Sequence, residues 1–76
     1  MNLTILVFAQ ARDAFGFAER VVACAPDETP RELMQRVAPG VSLEHVRVAL
    51  DCEYVTWDTP IGEAAELAII PPVSGG

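Results

Sequence analysis

Lysine is absent from this 76-residue chain, and its five basic residues, Arg12, Arg20, Arg31, Arg36 and Arg47, are scattered along it. With no basic stripe to follow a phosphate backbone, nucleic acid is excluded as an expected partner. The net charge of −6 would also repel an anionic membrane surface, and it suits a partner with a basic groove. Cysteine is scarce: Cys24 and Cys52 stand far apart in apolar segments, with no CxxC or histidine-containing ligand spacing. That pattern reads as reduced core thiols and not as a disulfide or a metal site. No apolar run approaches the ~20 residues of a membrane-spanning helix. The opening MNLTILVFAQ lacks the basic start and apolar length of a signal peptide, so the expected location is cytoplasmic.

Catalytic constellations are missing as well. His45 is the single histidine, no Ser/His/Asp or Cys/His pairing has supporting spacing, and no glycine-rich loop is present to cradle a phosphate. The chain is expected to bind no cofactor stably and to hold no metal.

What is present is a folding composition. Hydrophobic residues make up 51% of the chain, far from the polar, highly charged signature of disorder. A chain this short buries only ~60% of the surface its unfolded form exposes, so one small domain of modest stability is expected.

Leu3 to Ala9 reads as a strand, with Leu3, Ile5 and Val7 on one face and Thr4, Leu6 and Phe8 on the other. Ala11 to Gly16 reads as a loop, and Phe17 to Ala23 as a second strand. T-P-R-E at 29 to 32 is a helix start: Thr29 caps, Pro30 fits the first helical position and Glu32 completes a capping box. Leu33, Met34 and Val37 give that helix an apolar stripe, and Pro39-Gly40 ends it. Ser42 to His45 is expected to form a single further turn. Val46, Val48 and Leu50 alternate with Arg47 and Ala49 as a half-buried strand, which turns at Asp51-Cys52-Glu53 into Tyr54 and Val55. Trp57 to Ala65 is a loop, and Glu66 to Ile70 the last strand.

Two hairpins around one helix predict an α+β domain over residues 1–70. Its first and last strands would lie parallel at the centre of a mixed sheet of about five strands, an arrangement known as the β-grasp or ubiquitin-like fold. Residues 71–76 would form an extended, flexible Gly-Gly tail.

Both central strands are apolar on both faces, yet one short helix covers only one of them. Leu6, Phe8, one of Ile69 or Ile70, and Tyr54 are then left over. Two explanations stand: central strands are simply hydrophobic and loops cover the rest, or the surplus is an exposed patch that binds another protein. The ending AIIPPVSGG has two readings as well. Most termini fray. Here, however, Pro71-Pro72 stiffens an extended exit, Ser74 carries little bulk, and Gly75 and Gly76 can thread a narrow channel. A glycyl carboxylate is unhindered but inert until ATP converts it to an acyl-adenylate.

LVFAQARD, EYVTWDTPI and ELAIIPPVSGG, taken in order across nearly the whole chain, resemble the MoaD family of ubiquitin-like sulfur carriers, the small subunits of molybdopterin synthase. The resemblance implies a cycle. An E1-like adenylating enzyme, itself the nucleotide-binding partner that uses ATP and Mg, activates the Gly76 carboxylate. A sulfur donor protein converts it to a thiocarboxylate. The tail then enters the large subunit of a heterotetramer and gives its sulfur to cyclic pyranopterin monophosphate, two transfers building the dithiolene. On this implication the chain is a non-catalytic, sulfur-donating subunit of a sulfurtransferase whose active site lies on the large subunit, and Gly75 and Gly76 are its reacting end. Phe8, Tyr54 and Ile70 match the family's hydrophobic contact patch, Pro71, Pro72, Val73 and Ser74 lie in the partner's groove, and Arg12 of FAQAR contacts the tail or a partner. Two departures, Asp51 where members often have Asn and Glu63-Ala64-Ala65-Glu66 where they have DGDE, imply altered loop geometry.

Other classes remain open at this level. One is a sulfur carrier for thiazole, cysteine or tRNA thiolation. Another is a ubiquitin-like protein modifier, for which the absence of lysine rules out lysine-linked self-chains. A third is a non-covalent binding module that does not need Gly75-Gly76.

Overall fold

The computed structural model describes residues 1–72; Val73, Ser74, Gly75 and Gly76, and with them most of the expected tail, lie outside the described residues. The elements in chain order are β1 (Asn2–Val7), α1 (Ala11–Phe15), β2 (Glu19–Ala23), α2 (Pro30–Val37), β3 (Arg47–Leu50), β4 (Glu53–Val55) and β5 (Glu66–Ile70). The strands form one mixed sheet in the order β2-β1-β5-β3-β4. β1 and β5 run parallel at its centre, with Ile5 opposite Leu67 and Val7 opposite Ile69, and antiparallel hairpins complete both sides. This is the β-grasp arrangement. Parallel neighbours need a long connection between them, and α2 lies within it.

Alternation decides which side chains meet α2. Leu3, Ile5 and Val7 from β1, Val48 and Leu50 from β3, and Leu67 and Ile69 from β5 join Leu33 and Met34 of α2 in one core. Burying an apolar side chain of this size contributes about 1.5–3 kcal/mol, so Leu33 and Met34, with Pro30 also buried, hold α2 against the sheet. Its start is fixed locally: the Thr29 hydroxyl accepts from the Glu32 amide at 3.2 Å, and the Glu32 carboxylate accepts from the Thr29 amide at 3.0 Å. The two long connections also fasten to each other. The Arg31 amide donates to Trp57 O, the Ile61 amide to Glu28 O and the Gly62 amide to Pro26 O, which ties the segment before β5 to the start of α2.

Several local expectations are corrected, among them the second strand, which begins at Glu19 and not at Phe17. Ala11 to Phe15 is a helix and not a loop, because Ala11 and Phe15, four residues apart, both pack into the core, while Arg12 and Asp13 remain outside. Gly16 closes it at φ +85, a conformation glycine adopts without strain, with its amide donating to Arg12 O at 2.8 Å. β1 ends at Val7, two residues early, since Ala9 turns the chain at φ +51. Ser42 to His45 forms no helical turn; a turn at Glu44-His45 leads into β3. Cys52 is exposed at a hairpin tip and is not a core thiol, whereas Cys24 is buried. The hairpin explains the difference. Asp51 (φ +47) and Cys52 (φ +71) are the two central residues of a two-residue loop between Leu50 and Glu53, and positive φ at both matches the twist of the flanking strands.

Candidate functional site: the open face and the root of the tail

Alternation that buries one face of the sheet leaves the other uncovered. Register places Glu19, Leu6, Ala68, Ala49 and Tyr54 in one row across all five strands on that face. The two alanines at its middle are buried while Tyr54 is 63% exposed at its end, so the row is low at the centre and raised at the rim. Val21, opposite Thr4 on the far edge, is 60% exposed.

The next row lies where β5 ends. Phe8, just past β1, donates its amide to Ile69 O at 3.0 Å and so continues the ladder with its ring 41% exposed. Ile70, half-buried, stands opposite Arg47. From there Pro71 and Pro72 leave the sheet. Proline cannot donate to the ladder, so pairing stops at Ile70. Arg47, Tyr54, Ile70, Pro71 and Pro72 together line a groove of about 280 Å³. The Arg47 guanidinium lies 5.7 Å from the centroid of the Tyr54 ring, within cation–π range. Two other surface depressions, lined by Arg31, Gln35, Val41, Leu43 and Glu44, and by Ala25, Asp27, Glu28 and Glu32, sit away from the tail.

The sequence-derived residues therefore fall into three groups. Phe8, Tyr54, Ile70, Pro71 and Pro72 surround the point where the chain leaves the sheet. Arg12 lies on the α1 side, where its Nε donates to Val7 O at 2.9 Å, which pins α1 to the end of β1. Val73, Ser74, Gly75 and Gly76 lie outside the described residues. Arg47 was not singled out from sequence. The signal for it was present in the alternation that sets Arg47 and Ala49 against Val48 and Leu50, but its juxtaposition with Ile70 is a register fact that one sequence does not display.

Electrostatics separate the two sides of the sheet. On the α2 side Arg31 grips Asp58 through two hydrogen bonds of 2.9 and 3.3 Å, and Arg36 grips Glu28 at 3.0 Å. The hydrogen bond from Arg31, with its charge, holds the Asp58 carboxyl below the usual carboxylate range, and the same contact raises Arg31. Among the described residues no cluster of three His, Cys, Asp or Glu side chains is placed to hold a metal, and no helix is long and apolar enough to cross a membrane. A low apolar surface beside an exiting strand is suited to docking, and none of the side chains around it is arranged as an acid–base or nucleophile–base pair.

Comparison with known proteins gives this geometry its context. The ThiS family matches residues 5–76 of the chain. The molybdopterin synthase sulfur carrier subunit of Arabidopsis thaliana is 35% identical over 81 residues, covering 100% of this chain and 84% of that protein. Among solved structures, SAMP1 from Haloferax volcanii superposes with a TM-score of 0.74 at 21% identity, over 100% of both chains. A putative molybdopterin converting factor subunit 1 from Pyrococcus furiosus gives 0.74 at 19% identity, over 96% of this chain and 99% of that one. At those identities the two structures speak for the fold alone.

Proposed function

This chain belongs to the ThiS family, and from that premise we propose that it is the sulfur carrier subunit of a molybdopterin synthase. The observation that carries the proposal is the whole-length similarity to a protein of that name. The open face supports it: a protein whose reacting group is its own carboxylate needs a docking surface near the exit of the tail, and Phe8, Tyr54 and Ile70 supply one.

In the proposed cycle the Gly76 carboxylate attacks the α-phosphate of ATP on an E1-like enzyme, giving an acyl-adenylate and pyrophosphate. The terminal sulfur of a donor protein's persulfide displaces AMP, and a thiol then cleaves the resulting acyl disulfide, leaving the thiocarboxylate on Gly76 and a disulfide on the donor side. Gly75 and Gly76 put no side chain beside the reacting carbonyl, and Pro71-Pro72 holds the exit extended. The tail then enters a large subunit of a heterotetrameric synthase, where sulfur passes to cyclic pyranopterin monophosphate. In this cycle the groups that move protons are on those partners.

Incubation with the cognate activating enzyme, ATP and the sulfur donor, followed by intact-mass analysis, tests this reading. One terminal oxygen is expected to be replaced by sulfur, and the product is expected to form dithiolene when mixed with its large subunit. An unchanged mass with a demonstrably active enzyme refutes the carrier role; a thiocarboxylate that supports only another thiolation pathway refutes the molybdopterin assignment.

A further inference from the structure

The arginines are not equivalent. Arg31 and Arg36 are held by carboxylates on the α2 side, and Arg20 lies 4.2 Å over the Phe17 ring. Arg47 stands on the open face, lines the groove at the tail root, and has no carboxylate in ion-pair contact among the described residues. On a chain of net charge −6, this is a local reversal of sign at the rim of an apolar surface.

We propose that Arg47 is a specificity-determining residue of this groove, and that the protein receiving the tail seats an aspartate or glutamate side chain on its guanidinium. Three features converge on that occupant. Arg47 is the one charged residue among those lining the groove, and a planar fork of N–H groups matches a carboxylate in two-point contact. Stacking on Tyr54 orders the side chain beforehand, which reduces the entropy lost on docking. Arg47 lies directly opposite Ile70, the last sheet residue before the prolines. A carboxylate bound there fixes where the tail begins on the partner, whereas apolar contact through Phe8 and Tyr54 is non-directional and leaves that register loose.

The proposal rests on the sulfur-carrier reading, since it takes the large subunit as partner. Its test is titration of the full chain against the cognate large subunit at low and high salt, for wild type, Arg47→Lys, Arg47→Ala and Arg47→Glu, with thermal midpoints measured alongside. Arg47→Ala is expected to weaken binding about 3–10-fold and to flatten its salt dependence. Arg47→Glu is expected to weaken it more than about tenfold, with Arg47→Lys between wild type and alanine. Midpoints should stay at the wild-type value. Wild-type affinity and salt dependence in the alanine and glutamate variants would overturn the proposal alone. Affinity falling in step with the thermal midpoint would make Arg47 a structural residue and overturn it equally. Absence of any wild-type complex would overturn the carrier reading and this proposal with it.

Discussion

Leu67 and Ile69 share β5 with Ala68 and Ile70, yet the two pairs have opposite fates. The first pair points toward α2 and is fully buried; of the second, Ala68 is buried between Leu6 and Ala49 in its row and Ile70 is half-buried at the tail root. The same strand thus has one face closed by its own chain and the other left open. Polarity separates the faces only in part, since the open one mixes Leu6, Ala49 and Ala68 with Thr4, Glu19, Arg47 and Glu66. Size separates their centres: on β1, β5 and β3 the covered face carries Leu, Ile and Val, while the open one places two alanines between Leu6 and Tyr54. The face closed by α2 is filled, and the open face is low at its centre.

The sharpest way to break this contrast is to truncate one residue on each side. Leu67→Ala removes a fully buried side chain and should destabilise the domain by about 2–5 kcal/mol, out of a total of roughly 4–11 kcal/mol for a chain this size. Urea unfolding measures it. Phe8→Ala should move the unfolding midpoint by less than about 1 kcal/mol and instead weaken the large-subunit complex about tenfold or more. If Phe8→Ala destabilised the chain as much as Leu67→Ala, the ring would belong to the core and the comparison would fail.

Much of this contrast was legible in the sequence. Period-two alternation in Leu3 to Phe8 separates the faces, and the excess of apolar residues over what one helix covers points to an open side. Thr29-Pro30-Arg31-Glu32 announced the helix start because a capping box is local chemistry. Helix α1 was not legible: Ala11 and Phe15 form a single turn whose stability comes from packing against distant residues. Nor was the place of Arg47, since strand register is set by the whole sheet. Cys52 was read as a core thiol although its charged neighbours Asp51 and Glu53 and the turn expected there already pointed to the hairpin tip where it lies.

That hairpin and the start of α2 offer smaller tests, both local to elements that frame the covered face. Thr29→Ala removes the hydroxyl that accepts from the Glu32 amide and should destabilise by about 1 kcal/mol, a fall of about 4–8 °C in thermal midpoint for a domain this size. Cys52→Gly runs the other way. At φ +71 a side chain is strained and glycine is not, so a gain of about 0.5–1 kcal/mol is expected, with large-subunit binding unchanged because the turn lies apart from the tail-root groove.

The smallest expected effect concerns the charges that distinguish the two sides. Asp58 titrates below the usual carboxylate range because Arg31 hydrogen-bonds its ionised form. A depressed folded-state pKa contributes stability that is fully present above the unfolded-state value and is lost as pH falls through the folded-state value. The pair is solvent-exposed, so water and salt screen it and the contribution is slight. Asp58→Asn should therefore lower the urea midpoint a little at neutral pH and low salt, and the gap to wild type should close both at high salt and in acid below the carboxylate range. Arg47→Ala, which removes a cation with no carboxylate in ion-pair contact among the described residues, should show no such acid-dependent gap in stability. A matching gap would mean that Arg47 is also held by a carboxylate of its own chain, and the electrostatic difference between the closed and open faces would disappear.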